Sequence, residues 1–98
     1  MTVDDVRRLL EPDRDALRAR GVAAVTVLGS VARGEADEAS DVDILLDVAP
    51  DARFTIVDLV GARYDLRDRL GRAADVHLRE GIHYRIRDQV LADAVRVP

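Results

Sequence analysis

The stretch "GSVARGEADEASDVDILLD", residues 29–47, holds the residue types best suited to chemistry in this chain. Gly29 has no Cβ, so an anion can approach its backbone closely. Ser30 adds a hydroxyl, and the amides at a helix start point toward negative charge. Arg33, one turn on, carries a planar guanidinium that matches phosphate geometry. Residues i and i+2 of a strand share a face, so Asp41 and Asp43 project together while Val42 and Ile44 turn inward. Carboxylates this close raise each other's pKa unless a cation compensates. Oxygen ligands at that spacing suit Mg²⁺, which prefers carboxylates plus substrate phosphates to a closed protein cage. Each half also has a plainer reading. "GSVARG" fits an ordinary strand-to-helix turn with a serine cap, and it matches neither the P-loop nor the dinucleotide fingerprint. "DVD" fits a solvated strand start. The combination puts a triphosphate within reach of two metal-binding carboxylates.

The elements around this stretch must position it. Thr2 to about Arg20 reads as helix, with Thr2 as N-cap, Asp5 three residues on, and Val3, Val6, Leu9 and Leu10 at helical spacing. Pro12 opens a second helical piece carrying Leu17, and Gly21 stops it. "VAAVTVL", 22–28, has the length and β-branched character of a buried strand, and "DVDILLDV", 41–48, is the second. Pro50 bars its continuation. From about Phe54 to Leu70 the period is helical, with Ile56, Leu59, Val60, Leu66 and Leu70 on one side. "AADVHL", 73–78, reads as a third strand. A last helix runs from about Ile82 to Ala94, with Ile86, Val90 and Leu91 on one face. The order α, β, short α, β, α, β, α predicts one α/β (α+β) layer structure, a single domain over 1–98.

Composition narrows the function. All fifteen basic residues are arginine, so a Walker A lysine, a Schiff base and a lysine-linked nucleotide are excluded. A net charge of −4 argues against broad binding to phosphate backbones, and three aromatics against a base-stacking platform. There is no cysteine, hence no disulfide, thiolate zinc site or thiol nucleophile. The apolar runs are short and the first residues lack an apolar targeting core, so the expectation is a cytoplasmic protein without membrane or direct nucleic-acid contact.

Gly29-Ser30, ten residues, then Asp41-Val42-Asp43 resembles the GS-x10-DxD signature of the DNA polymerase β-like nucleotidyltransferase superfamily. The fuller stretch looks like its minimal nucleotidyltransferase branch, and the likeness extends to "GRAADVHLREGIHYRIRDQVLADAV" near the end. The resemblance implies a polymerase β-like palm, a small mixed sheet flanked by helices. It also implies two-metal nucleotidyl transfer. Asp41 and Asp43 would hold two Mg²⁺ ions about 3.5–4 Å apart. Gly29 and Ser30 would hold the β- and γ-phosphates of ATP, with Arg33 and Ser40 also binding the nucleotide. Asp75 matches the family's third carboxylate, which ligates the catalytic metal and helps to activate an acceptor hydroxyl. His77 is expected to be an exposed strand histidine, Asp47 to lie too far along its strand, and Glu35, Asp37 and Glu38 to be a solvated loop. His83 and Tyr84 begin the last helix and receive no role.

Larger relatives carry a further domain that binds the acceptor, and this chain shows no segment for one. In minimal members the missing half is often a HEPN-type ribonuclease toxin, neutralised when AMP is added to one of its tyrosines. The resemblance therefore implies an antitoxin of a toxin–antitoxin pair, a protein adenylyltransferase working in a hetero-oligomer. The alternatives are an antitoxin that acts by sequestration with a vestigial nucleotide site, and a small-molecule nucleotidyltransferase of the aminoglycoside-modifying kind.

Overall fold

The structure, a computed structural model, describes residues 1–37, 39–82 and 84–97, and of residues 84, 86, 87 and 90 only the backbone. The readings made for Glu38, for His83, and for the Tyr84, Ile86 and Val90 side chains lie outside the described residues. Helix α1 (Val3–Leu10) starts at a capping box: Thr2 Oγ1 accepts from the Asp5 amide, and Asp5 accepts from the Thr2 amide. A 3₁₀ turn, Glu11–Asp13, carries Pro12 and leads into α2 (Arg14–Arg20), which ends at Gly21. Strand β1 (Val22–Leu28) runs into the short α3 (Gly29–Arg33), then β2 (Val42–Val48), α4 (Ile56–Leu70) and β3 (Ala74–Leu78). A second 3₁₀ turn, Arg79–Gly81, precedes α5 (Tyr84–Leu91) and β4 (Val95–Arg96).

The four strands form one mixed sheet in the order β3-β2-β1-β4. β1 is antiparallel to both β2 and β4, while β2 and β3 are parallel. A parallel pair cannot be joined by a tight hairpin, and α4 supplies the crossover. The alternation of β2 puts Val42, Ile44 and Leu46 on one sheet face, where they join Val25, Val27 and Val76 in the main core. Val6, Leu10 and Leu17 from the first two helices, and Ala62, Leu66 and Leu70 from α4, cover that face. A second, smaller cluster of Leu28, Leu45 and Ile82, joined by Leu91 and Ala94, covers part of the opposite face. No helix among the described residues is long and apolar enough to cross a membrane.

Three expectations change. The last helix is shorter than 82–94, because Ala94 ends a turn and Val95–Arg96 returns to pair with Thr26 and Val27. Strand β2 begins at Val42, leaving Asp41 just ahead of it. In α4, Ile56 and Val60 do not share the buried side with Leu66 and Leu70, but are 72% and 40% exposed. Apolar residues stand on both sides of that helix, and periodicity cannot tell which side the sheet takes.

Candidate active site

Three adjacent strands bring the chemistry to one row. Leu28, the last residue of β1, pairs with Asp43 of β2, and Asp43 pairs in parallel register with Asp75 of β3. In-register neighbours share a face, so the Asp43 and Asp75 side chains project together from strands about 4.8 Å apart. Their face is the one opposite the main core. Asp43 is half-buried, whereas Asp75 and Asp41 are exposed.

The Gly-Ser turn closes directly onto Asp43. Gly29 has φ +66°, and a Cβ built on it would run into the Asp43 carboxylate, with Cγ at 3.4 Å and Asp43 Cβ at 3.6 Å. Only glycine allows both the left-handed backbone and this approach. Leu28 holds the N-cap position of α3 and gives no side-chain cap. Among the described residues nothing hydrogen-bonds the Ser30 hydroxyl. Arg33 lies at the other end of α3, where its Nε donates to Glu35 Oε2 at 3.1 Å. Glu35 is exposed, as expected of a solvated loop, and the pair with Arg33 forms across the Gly34 bend.

The electrostatics follow this layout. Burial raises the Asp43 pKa first, the Asp75 charge raises it further, and Asp41 adds to the rise. His77 and Arg33 act against them. His77 is exposed on β3, two residues beyond Asp75, so its charge reaches the acid row although no role was expected of it. Leu45 shares the acid face and is fully buried, in a cluster with Leu28 and Ile82. Leu45 also separates Asp43 from Asp47, whose two oxygens accept from Arg79 Nε and Nη2 at 2.5 and 3.1 Å. Asp47 is thus committed elsewhere, as its distance along the strand had suggested.

Ser40 has a structural task. Its hydroxyl donates to Asp37 Oδ1 at 3.1 Å and accepts from the Asp37 amide at 3.1 Å, while the same Oδ1 takes the Ala39 amide at 2.9 Å. The Ala39 amide and then the Ser40 hydroxyl lower the Asp37 pKa, and together these bonds fold the loop back toward β2. Among the described residues no three His, Asp or Glu side chains form a group that would hold a metal ion unaided. Mg²⁺ asks for less, needing one or two carboxylates when substrate phosphates supply the rest. Asp43 and Asp75, facing each other across the β2–β3 pair, fit that smaller demand. The raised Asp43 pKa marks a place where added positive charge is favourable.

Comparison with known proteins agrees with this geometry. The family model described as "Nucleotidyltransferase domain" matches residues 13–97. The chain is 34% identical over 97 residues to a candidate protein adenylyltransferase of Methanocaldococcus jannaschii, covering 99% of each protein. It is 32% identical over 98 residues to the protein adenylyltransferase MntA of Thermococcus cleftensis, covering 99% of this chain and 97% of that one. A solved structure of a candidate minimal nucleotidyltransferase superposes with a TM-score of 0.80 at 34% identity, over 97% of this chain and 95% of the other. A candidate nucleotidyltransferase of Sulfolobus solfataricus shares the fold, with a TM-score of 0.51 at 22% identity over 97% of this chain and 78% of that one. With the family model matched over residues 13–97 and a minimal nucleotidyltransferase superposing over nearly the whole chain at 34% identity, this chain belongs to the nucleotidyltransferase domain family, in its minimal branch.

Proposed function

We propose that the chain transfers AMP from ATP to a tyrosine hydroxyl of a HEPN-type ribonuclease toxin in the cytoplasm, and so acts as its antitoxin. The observation that carries the reading is the row Leu28–Asp43–Asp75, with Gly29 pressed against the Asp43 carboxylate. Similarity to proteins named as protein adenylyltransferases supports the choice of AMP and of a protein acceptor.

In this reading the Gly29 and Ser30 amides and the Ser30 hydroxyl receive the β- and γ-phosphates, and Arg33 turns from Glu35 toward them. Asp41, Asp43 and Asp75 would hold two Mg²⁺ ions, which supply charge neutralisation at the phosphates and orient the two oxygens in line. The acceptor oxygen attacks the α-phosphorus, and its proton passes to a carboxylate. The bond from the α-phosphorus to the bridging oxygen breaks, and pyrophosphate leaves with the electron pair. Asp75 is exposed on an edge strand, open to a hydroxyl approaching from outside. Holding that hydroxyl near attack distance falls to the acceptor protein itself. An AMP on the toxin would add bulk and negative charge where RNA phosphates dock, which accounts for its inactivation.

The test is to incubate the chain with Mg²⁺, each nucleoside triphosphate in turn and the product of the neighbouring gene, and to read intact masses. The expected result is the mass of AMP on that product with ATP alone, mapped to a tyrosine. An inhibited but unmodified partner would contradict transfer and favour sequestration.

A further inference from the structure

Helix α4 is apolar on two sides, and only one of them meets the sheet. Ala62, Leu66 and Leu70 are buried, but Ile56, Val57, Val60 and Tyr64 are 72, 74, 40 and 62% exposed. At about 100° per residue, Val57, Val60 and Tyr64 fall within a narrow stripe opposite the buried side, with Ile56 along its border. They expose roughly 400 Å² of apolar side chain, the size of the largest patch a monomer ordinarily carries, and here it is gathered on one helix.

The charges around the stripe indicate what covers it. On one flank Arg20 lies over Gly61, where a Cβ would meet its guanidinium, and Nη2 pairs with Asp65 at 3.1 Å. That flank is already neutral. The two ends are not. Arg53 stands ahead of the N-cap Thr55, and Arg67 and Asp68 follow Tyr64; all three are exposed and have no ion pair among the described residues. We infer that a second copy of this chain packs on α4 through a two-fold axis near Val60 and Gly61. Two antiparallel α4 helices then set Val57 against Tyr64 of the second copy and Val60 beside its own mate. Asp68 reaches the end at which Arg53 of the second copy stands, and the Arg67 stem lies along Ile56 of that copy. Each end of the pair then sets one Arg53 against one Asp68 across the two-fold axis, so the same patch serves both copies.

The area fixes the strength expected. Two such patches with their charged ends bury on the order of 1,000 Å² in total, at the lower limit for a specific interface, so the dimer is weak and in the micromolar range. The acid row is on the opposite sheet face, and both copies keep it open to an acceptor. This inference does not depend on the proposed transfer reaction, since its readout is mass in solution.

Sedimentation velocity of the full chain from about 1 µM to about 300 µM is expected to pass from monomer to dimer. Val57→Glu should raise the dimer dissociation constant at least tenfold while leaving the circular dichroism spectrum unchanged. Asp68→Arg should do the same, and Arg53→Asp combined with Asp68→Arg should restore association. Because the chain has no cysteine of its own, Val60→Cys should oxidise readily to a disulfide-linked dimer, whereas Glu80→Cys on the far turn should not. A chain that stays monomeric across that range overturns the inference. So does a dimer indifferent to both Val57→Glu and Asp68→Arg.

Discussion

Replacing Gly29 by alanine perturbs the backbone and the site at once, and a second glycine separates the two effects. Gly29 and Gly71 have nearly the same conformation, with φ +66° and +67°. Around Gly71 there is open space within 4 Å, whereas a Cβ on Gly29 meets the Asp43 carboxylate. Gly71→Ala therefore reads the left-handed penalty alone, about 1 kcal/mol. For a domain of this length that lowers Tm by roughly 4–8 °C. Gly29→Ala carries the same penalty and also drives Asp43 off its rotamer, for about 1 kcal/mol more. The sum, about 2 kcal/mol, lowers Tm by roughly 10 °C. The larger consequence is chemical. A carboxylate displaced by about 1 Å from a reacting centre costs on the order of 100-fold in rate, so Gly29→Ala should lose about that factor in AMP transfer and Gly71→Ala almost none. Thermal melts with a radiolabelled transfer assay on both variants decide it. Equal Tm losses with equal retained transfer would refute the reasoning that Gly29 exists to let the turn close on Asp43.

Other consequences can be checked separately. Asp43 has a folded pKa above its ordinary value of 3.8, so its contribution to stability is present below that value and is lost as pH rises through the raised one. Asp43→Asn should accordingly gain on the parent in denaturant midpoint as pH climbs from 3.8 toward neutrality, while abolishing transfer; parallel pH profiles would contradict the crowded-acid picture. Arg79→Met breaks the Asp47 pair, partly exposed on both sides, and should cost about 0.5–1 kcal/mol in urea denaturation with transfer unchanged. A collapse of transfer in that variant would return Asp47 to the site. Arg33→Ala should weaken ATP binding, measured by calorimetry, more than it slows the maximal rate. An unaltered affinity would leave Glu35 as the partner Arg33 is for.

What could be read from the sequence was what is local in it. Gly29-Ser30 and Asp41-Asp43 lie close along the chain, and strand alternation alone put Asp43 on the face away from Val42 and Ile44. The first helix start was equally legible, because Thr2 with Asp5 is a capping box closed within four residues. The same device at Thr55 and Asp58 starts α4 and was passed over in favour of the apolar period from Phe54. Asp75 was reached only through the family resemblance, since its register with Asp43 depends on how β3 pairs across an intervening helix. The Asp47–Arg79 pair spans 32 positions and leaves no trace in any local pattern. Strand β4 is two residues long, too short for a period to register. Leu45 was hidden in plain view: it sits between two aspartates on the acid face, and only a separate cluster with Leu28 and Ile82 makes its burial possible.

The central claim is that Asp43 and Asp75, side by side under the Gly29 turn, perform nucleotidyl transfer. The most direct measurement is AMP incorporation into the partner protein by Asp75→Asn, with ATP affinity measured on the same preparation. The account predicts that ATP still binds within a few-fold while incorporation falls by at least 100-fold. Full incorporation by Asp75→Asn would contradict it.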